Sequence, residues 1–401
     1  MERDDIEYLS EKNGVSCAMR VLMTTWEFPP LKVGGVGSHC FDICKTFSSM
    51  GIDVHVLTFG FEEKTEELDG ITIHRMPSGR APDTISWSTF LGHRMEKKAV
   101  ELNKEEKFDL VHAHDWMMVP AGVGIKKTLN LPMVFTIHST EHGRSGVHDS
   151  YTKMINDLEW YGTFEADKVI TVGKDFYQEV KHIFHVPEDK ICYIPNGVDI
   201  SRFDSHKASI ERDGIALDWE KIVLFVGRLT HQKGVEHLID AMPQVLEEHR
   251  EAKFLIAGGG AVDHYKGLAH RHGLWDKAYF MGFVPEEILL SLFKASDVIV
   301  APSVYEPFGI VALEAGAARK TIVGSFIGGF KETIVHQNTG LHSYPADPKS
   351  IACQINSALS DGGWSKWMGS NARKRVENNY QWERIARLTS KTYIKAMGID
   401  F

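Results

Sequence analysis

The amino-acid sequence predicts an α/β protein with two doubly wound domains that face each other across a cleft. Short apolar runs alternate with amphipathic stretches along the chain, which is typical of parallel sheets covered by helices. The length of 401 residues exceeds the ~250–300 residues that one hydrophobic core usually serves. A charged, turn-rich stretch before Lys221 separates two such halves and indicates a domain boundary.

Ten apolar runs have the length of buried strands. They are Arg20–Thr25, Asp53–Phe59, Leu110–His114, Met133–His138, Lys168–Val172, Ile222–Gly227, Lys253–Gly258, Ala278–Gly282, Val298–Pro302 and Thr321–Ser325. Among the helical stretches, the apolar residues of Gly234–Arg250 recur at the helical period of about 3.6, so one face of this helix is predicted to lie on a sheet.

These elements divide the chain into five segments. We predict an N-terminal extension at residues 1–18, a Rossmann-like domain at 19–205, a linker at 206–220, a second Rossmann-like domain at 221–378 and a C-terminal helix within 379–401. The extension is predicted because the first strand follows Met19 directly and the residues before it are mainly acidic.

Composition narrows the possible functions. The net charge of −9, with 25% charged and 43% apolar residues, argues against a nucleic-acid partner. The five cysteines are an odd number, widely spread and without a C-x-x-C pair, so a disulfide framework is not expected and a reducing cytoplasm fits. The acidic start is unlike a secretion signal, and no run reaches the ~18–20 apolar residues of a membrane span, so neither export nor a transmembrane segment is expected.

Two basic residues, Arg228 and Lys233, follow a predicted strand and precede the amphipathic helix. At this position their side chains can reach a ligand at the end of the strand, and the flanking Gly227 and Gly234 allow close approach. Either residue alone is as well explained as surface charge. As a pair they suggest a site that neutralises a departing diphosphate.

Two carboxylates, Glu306 and Glu314, bracket a Pro307–Leu313 segment that follows the strand Val298–Pro302. A helix beginning near Gly309 would direct its free backbone N–H groups at an anion. Eight residues are slightly more than two helical turns, so both carboxylates can reach one ligand at different depths. We interpret them as partners of sugar hydroxyls, one on a transferred sugar and one on a nucleoside ribose.

A glycine-rich segment, Gly34–Gly37, follows the first strand. Glycines without a Cβ atom let the backbone approach a phosphate or sugar closely. The segment lacks the G-x-G-x-x-G dinucleotide pattern, and no P-loop is present.

Histidines and carboxylates cluster in His112–Trp116 and Ile137–His142, which raises the question of a metal site. Histidines at strand ends more often bind backbone groups or substrate, and no acidic cage for Mg²⁺ is evident. We therefore expect neither a metal nor a cofactor.

Together these segments resemble retaining glycosyltransferases of the GT-B fold, specifically the family 4 group and the related glycogen and starch synthases. The resemblance covers most of residues 19–398. Its carriers are Glu27–Pro30 with Gly34–Gly35, His112–Trp116, Phe135–His138, Ile194–Asp199, the pair Arg228 and Lys233, and Glu306 through Glu314.

The resemblance implies a C-terminal domain that holds a nucleoside-diphosphate sugar, an N-terminal domain that receives the acceptor, and a last helix that crosses back onto the N-terminal domain. The catalytic positions that it implies are His138, Arg228, Lys233 and Glu306. The donor-binding positions are Gly34, Gly35, Phe283, Val284, Gly309, Ile310, Val311 and Glu314. The acceptor-binding positions are Asp115 and Trp116, which are expected to face a sugar.

Some segments depart from the family pattern or divide its members. Gly173 stands where the family usually has serine, and Lys331 replaces the usual proline before Glu332. The segments Lys32–Gly35 and His114–Trp116 are similar to those of α-glucan synthases, whereas the chain length and Tyr305–Gly309 are similar to the broader family 4. We therefore favour glucosyl transfer from ADP-glucose or UDP-glucose to an α-glucan, with an oligosaccharide, lipid or small-molecule acceptor as the alternative.

Two functions of other classes remain to be separated from transfer. A sugar-nucleotide epimerase with the same two-domain fold would bind the phosphates with the same residues, but it would need acid and base carboxylates near the sugar. A non-catalytic nucleotide-sugar or glycan-binding protein has no reason to keep His138, Arg228, Lys233, Glu306 and Glu314 together.

Overall fold

The computed structural model describes residues 19–31, 34–207 and 210–399. The predicted extension at residues 1–18 lies outside the described residues, as do Lys32 and Val33, two residues of the predicted linker and the last two of the chain. Two parallel sheets, each covered by helices, confirm the predicted α/β class with two doubly wound domains.

The N-terminal domain is built on an eight-stranded sheet with the order β3-β4-β2-β1-β5-β6-β7-β8. Its strands are β1 Arg20–Thr24, β2 Asp53–Phe59, β3 Lys64–Leu68, β4 Ile71–Met76, β5 Leu110–His114, β6 Met133–Ile137, β7 Lys168–Thr171 and β8 Ile191–Tyr193. Only β3 is antiparallel to its neighbour among these strands. The helices are α1 Gly35–Ser49, α2 Thr84–Glu105, α3 Val119–Leu129, α4 Glu141–Arg144, α5 Ser150–Glu165, α6 Lys174–Phe184 and α7 Ser201–Ser205.

The C-terminal domain has a six-stranded parallel sheet with the order β11-β10-β9-β12-β13-β14. Its strands are β9 Lys221–Val226, β10 Ala252–Ala257, β11 Ala278–Gly282, β12 Val298–Ala301, β13 Thr321–Ser325 and β14 Leu341–Ser343. Its helices are α8 Val235–Glu248, α9 Val262–Arg271, α10 Glu286–Ala295, α11 Ile310–Ala317, α12 Phe330–Thr333, α13 Pro348–Ser360 and α14 Gly362–Asn379.

All ten predicted strands are present, with ends within one residue of the prediction. Continuous apolar runs are diagnostic here because both faces of each sheet are covered by helices. The prediction missed β3, β4, β8 and β14. The strand β3 is largely exposed and polar, and β8 and β14 have three residues each, so these three lack the long apolar run that identified the others. The strand β4 is buried, but Thr72, His74 and Arg75 interrupt its apolar residues.

The last helix, α15 Trp382–Ala396, packs on the N-terminal domain. Its buried residues Trp382, Ile385 and Tyr393 belong to the same core cluster as Val21 and Phe47. The Tyr393 hydroxyl lies 2.7 Å from His112 Nδ1. This helix therefore connects the end of the chain to the first domain. No helix in the described part of the chain is long and apolar enough to cross a membrane.

Both sheets reverse their winding direction at a central strand pair, β1 and β5 in the first domain and β9 and β12 in the second. Ligands of open α/β sheets bind beyond the carboxyl ends of the strands at such a switch point. The glycine-rich segment follows β1, Asp115 follows β5, Arg228 follows β9 and Glu306 comes shortly after β12. Strand order thus gathers predicted site residues that are distant in sequence.

Candidate active site in the cleft

The basic pair is held by a tight turn after β9. Arg228 is exposed, and Lys233 closes a 3-10 turn, His231–Lys233, before α8. Gly234 then adopts φ +65°, and a Cβ atom there would lie 2.0 Å from the carbonyl oxygen of Pro302. Glycine is therefore required for the turn to approach the end of β12.

Lys233 pairs with the first predicted carboxylate. Lys233 Nζ lies 2.7 Å from Glu306 Oε2, and Ser303 Oγ donates to the same oxygen at 3.0 Å. Glu306 is buried, and both contacts fix its carboxylate in one orientation. The segments after β9 and β12 therefore form one charged unit.

A short helix begins directly after this carboxylate. Gly309 has φ +86° and precedes α11, and a Cβ atom there would meet the Phe330 ring at 2.3 Å. The free N–H groups of Ile310 and Val311 lie at the helix start, where the helix dipole favours an anion. Glu314 lies one turn further on and is partly buried.

The glycine-rich segment of the first domain lies against these residues of the second. Gly34 N donates to Glu27 Oε2 at 2.8 Å, which fixes the segment. A Cβ atom on Gly34 would lie 3.6 Å from Arg228 Nη2, and one on Gly35 would lie 3.3 Å from Ile310 Cδ1. The structure thus brings predicted phosphate-binding groups of both domains together across the cleft.

His138 follows β6 in the first domain. Burial lowers the pKa of His138 to about 3, so its imidazole is neutral at pH 7. Its Nε2 lies 3.1 Å from His114 Nδ1, and His114 Nε2 lies 2.8 Å from the sulfur of Met23. A thioether only accepts, so His114 carries its proton on Nε2 and His138 Nε2–H donates to His114.

Asp115 and Trp116, which are predicted to face a sugar, are both buried. Asp115, at φ +63°, is buried, and its Oδ1 accepts a hydrogen bond from His138 N at 3.2 Å. It therefore positions the His138 segment. Trp116 is only 8% exposed and packs with Ile85 and Ile155. The indole is core, and little of its surface is available to an acceptor.

A buried charge network that sequence reasoning missed lies beneath this segment. Glu159 is fully buried, and its two oxygens accept from Glu141 N at 2.9 Å each. Arg144 Nη2 donates to Glu159 Oε1 at 3.0 Å and to Glu141 Oε2 at 2.9 Å. Burial raises the pKa of Glu159, and the Arg144 charge opposes that rise. The network fixes α4, which follows His138, and its carboxylates come from separate helices without a shared motif.

Tyr305 connects the two domains. Its hydroxyl lies 2.9 Å from Glu179 Oε1 and accepts from Thr140 N at 3.4 Å, both in the first domain. The sequence placed Tyr305 beside Glu306 but gave no partner for it. Nearby, a Cβ atom on Gly173 would lie 2.1 Å from Pro307 O, so glycine at this position permits the close contact. A cavity of about 180 Å³ lies beside this contact, lined by Glu179, Glu306 and neighbouring residues.

The predicted base-side residues lie at the edge of the second sheet. Phe283 is 76% exposed, whereas Val284 is partly buried against the core. Both follow β11, whose Gly282 carbonyl accepts from Gly258 N at 2.8 Å. Phe283 therefore offers an open aromatic face beyond the end of β11.

Two Rossmann-like domains with cations and carboxylates converging between them define a GT-B glycosyltransferase. The family model of group 1 glycosyl transferases matches residues 208–375, and the model of Glycosyltransferase Family 4 matches residues 33–202. The chain belongs to this glycosyltransferase family and is related to the glycogen synthases.

Known relatives are similar over nearly their full length. An uncharacterised glycosyltransferase of Methanocaldococcus jannaschii is 41% identical, over 94% of this chain and 99% of the relative. Glycogen synthase of Mycobacterium tuberculosis is 32% identical, over 94% of this chain and 95% of the relative.

Two solved structures share the fold. Sucrose-phosphate synthase from Thermosynechococcus elongatus has a TM-score of 0.83 at 24% identity, over 95% of this chain and all of the other. The catalytic domain of Starch Synthase IV from Arabidopsis thaliana, bound to ADP and acarbose, has a TM-score of 0.77 at 17% identity, over 95% of this chain and all of the other.

Proposed function

We propose that this glycosyltransferase moves glucose, with retention of anomeric configuration, from a nucleoside-diphosphate sugar such as ADP-glucose or UDP-glucose to an α-glucan. The observation that carries the proposal is the convergence of Arg228, Lys233 and Glu306 opposite Gly34 and Gly35. A nucleotide sugar needs cations for its diphosphate, a carboxylate for its sugar hydroxyls and glycine backbone that it can approach closely. This cleft offers all three.

The diphosphate is assigned to the second domain. Arg228 is exposed beside the glycine-rich segment, and Lys233 is fixed by Glu306. The start of α11 adds free N–H groups to the same anion site. The ADP bound to the related starch synthase supports a nucleoside diphosphate as the ligand.

The transferred sugar lies between Glu306 and His138 in this proposal. Both hydrogen bonds of the Glu306 side chain are to Oε2, which leaves Oε1 for a sugar hydroxyl. His138 approaches from the first domain as a neutral imidazole, positioned by Asp115. Glu314 binds the ribose, and Phe283 and Val284 border the base.

The difficult step is the departure of the nucleoside diphosphate. The bond between the anomeric carbon and the phosphate oxygen breaks, and the oxygen keeps the electron pair. Arg228 and Lys233 stabilise the charge that develops there, where catalysis gains most. The acceptor hydroxyl attacks the same face and gives its proton to a phosphate oxygen. Because side chains supply the positive charge, the proposal requires neither a metal nor a cofactor.

The α-glucan acceptor rests on similarity. A relative at 32% identity is a glycogen synthase, and the starch synthase structure contains acarbose. A cytoplasmic location belongs to the same proposal, and it is supported by the described cysteines Cys40, Cys44, Cys192 and Cys353, which are all free thiols.

The test is nucleotide release from ADP-, UDP- and GDP-sugars, each with and without maltooligosaccharide, followed by NMR of the anomeric linkage. The proposal predicts one donor released fast only with the glucan and an α-linked product. Lys233→Ala is the matched inactive control. Release that responds to another acceptor would keep the transferase and reject the glucan. Donor conversion without any acceptor would indicate an epimerase.

A further inference from the structure

Three imidazoles from separate parts of the first domain meet at the acceptor side of the cleft. They belong to His39 on α1, His114 on β5 and His138 after β6. One ring nitrogen of each lies within 4.8 Å of those of the other two. Their ring centroids are 4.8–5.4 Å apart. This three-histidine cluster is the one group of potential metal ligands found in the described part of the chain.

The nitrogen spacing suits a tetrahedral metal. Zn–N bonds of about 2.0–2.1 Å at tetrahedral angles place two ligand nitrogens about 3.3 Å apart. His114 Nδ1 and His138 Nε2 lie 3.1 Å apart. The His39 nitrogen lies within 4.8 Å of both, so tetrahedral coordination requires it to move inward. Three histidines with an open fourth position are also an established catalytic zinc ligand set in other proteins.

His39 contributes a buried nitrogen without a partner. The residue is 5% exposed, and its Nδ1 has no hydrogen-bond partner among the described residues. The Asn196 amide lies near enough to raise the pKa of His39, although burial lowers it much more. Asn196 Oδ1 likewise has no partner in hydrogen-bond geometry. A buried imidazole nitrogen without a partner requires an explanation, and a bound ion would satisfy it.

Lone pairs are available on these rings. Burial lowers the pKa values of His39, His114 and His138, so all three are neutral at pH 7, the form that binds metals. His114 already holds its proton on Nε2 toward Met23, which leaves Nδ1 free to bind. His138 has to move its proton from Nε2 to Nδ1 through solvent, without net release of a proton. His138 is partly exposed, which gives an ion access from the cleft.

We propose that His39, His114 and His138 form a binding site for a divalent transition metal of the zinc type, and that the bound metal inhibits the enzyme. The metal is not a cofactor for transfer in this account. Its inhibitory effect rests on the proposed contact of His138 with the sugar, because a metal bound to Nε2 removes this imidazole from the substrate. Metal binding itself does not depend on the proposed function.

Binding is tested with Co²⁺, which reports tetrahedral coordination through its visible absorption. Wild-type protein is expected to bind one Co²⁺ per chain and to release it to excess Zn²⁺ but not to Mg²⁺. His39→Gln is expected to weaken binding at least 10-fold. His142→Gln, at an exposed histidine four residues after His138, is the matched control and is expected to bind like wild type. Absent tetrahedral absorption, or equal affinity in His39→Gln, would overturn the site.

A second measurement needs no substitution and covers the case in which His39→Gln does not fold. X-ray absorption of the wild-type zinc complex is expected to show three imidazole nitrogens. One imidazole or none would overturn the site. In the activity assay, Zn²⁺ is expected to inhibit wild type and His142→Gln equally, reversibly by EDTA. Binding without inhibition would overturn the inhibitory role alone, and inactivity without metal would count against the proposed function.

Discussion

Lys233 Nζ and Glu306 Oε2 lie 2.7 Å apart, although the two residues are 73 positions apart in sequence. The pair forms because β9 and β12 are neighbours at the switch point of the second sheet. In the proposed donor site, Lys233 is the cation for phosphate and Glu306 is the carboxylate for sugar. Their contact places both halves of the proposed donor site in one position before any ligand arrives.

Replacing either cation should impair catalysis more than stability. Lys233→Ala and Arg228→Ala are each expected to lower kcat roughly 100- to 1,000-fold, by analogy with the loss of one preorganised group that stabilises the transition state. Steady-state kinetics measure the effect. Lys127→Ala, which removes an exposed lysine paired with Glu165, is the control and should retain full activity. Near-normal turnover in both cleft variants would reject the proposed phosphate contacts.

Restoring the residue usual in the family at Gly173 should be costly. The Cβ atom of Gly173→Ser would lie 2.1 Å from Pro307 O, so the two domains have to move apart locally. We expect a loss of about 1–3 kcal/mol in the free energy of unfolding. Gly259→Ser is the control, because a Cβ atom there meets nothing within 4 Å. Equal urea midpoints for the two variants would contradict the tight contact.

Arg144 and Glu159 should be strongly coupled. At about pH 9, above the pKa of about 8 to which burial raises Glu159, Arg144→Met leaves this ionised, fully buried carboxylate without its cation, and such a loss costs about 3–5 kcal/mol. The double variant Arg144→Met/Glu159→Gln should recover part of this stability, because no uncompensated charge remains. Urea unfolding of the four proteins in the cycle measures the coupling energy. Additive effects of the two substitutions would show that the pair does not act as a unit.

Stability should decrease as the pH is lowered, because of a second histidine pair that lies away from the cleft. His74 Nε2 lies 3.1 Å from His55 Nδ1, and burial lowers the pKa of His74 to about 4, helped by the charge of His55. An unfolded histidine titrates near 6.5. Below that pH His74 binds a proton in the unfolded chain but not in the folded chain. Its contribution to the free energy of unfolding is therefore complete above about pH 6.5 and is lost toward about pH 4.

The contribution of His74 is measured as a slope of stability against pH. If His74 is protonated in the unfolded state and not in the folded state, the free energy of unfolding falls by about 3 kcal/mol. His74→Gln should flatten the stability profile between pH 6.5 and about 4, whereas His182→Gln on the exposed face of α6 should leave it unchanged. Identical profiles for wild type and His74→Gln would contradict the lowered pKa.

The predicted site residues lie in different surroundings in the structure, for identifiable reasons. Arg228, Lys233, Glu306 and the glycine-rich segment lie directly after strands, so knowing the strands placed them at one edge of each sheet. Asp115 and Trp116 stand in an equivalent position, yet Asp115 binds His138 N and Trp116 enters the core. Residue type and spacing did not reveal which side of the chain faces the cleft, because that depends on the φ of +63° at Asp115.

The sequence by itself determined the two parallel sheets, the positions of ten strands and the likeness to a glycosyltransferase family, because apolar runs and strand-end motifs are local properties of the chain. Tertiary structure alone decided which motifs touch. The Tyr305–Glu179 contact, the burial of Glu159 and the meeting of His39 with His138 each join residues from different elements. Such contacts depend on strand order and on how the domains pack. The apolar periodicity of a single segment predicts neither of these.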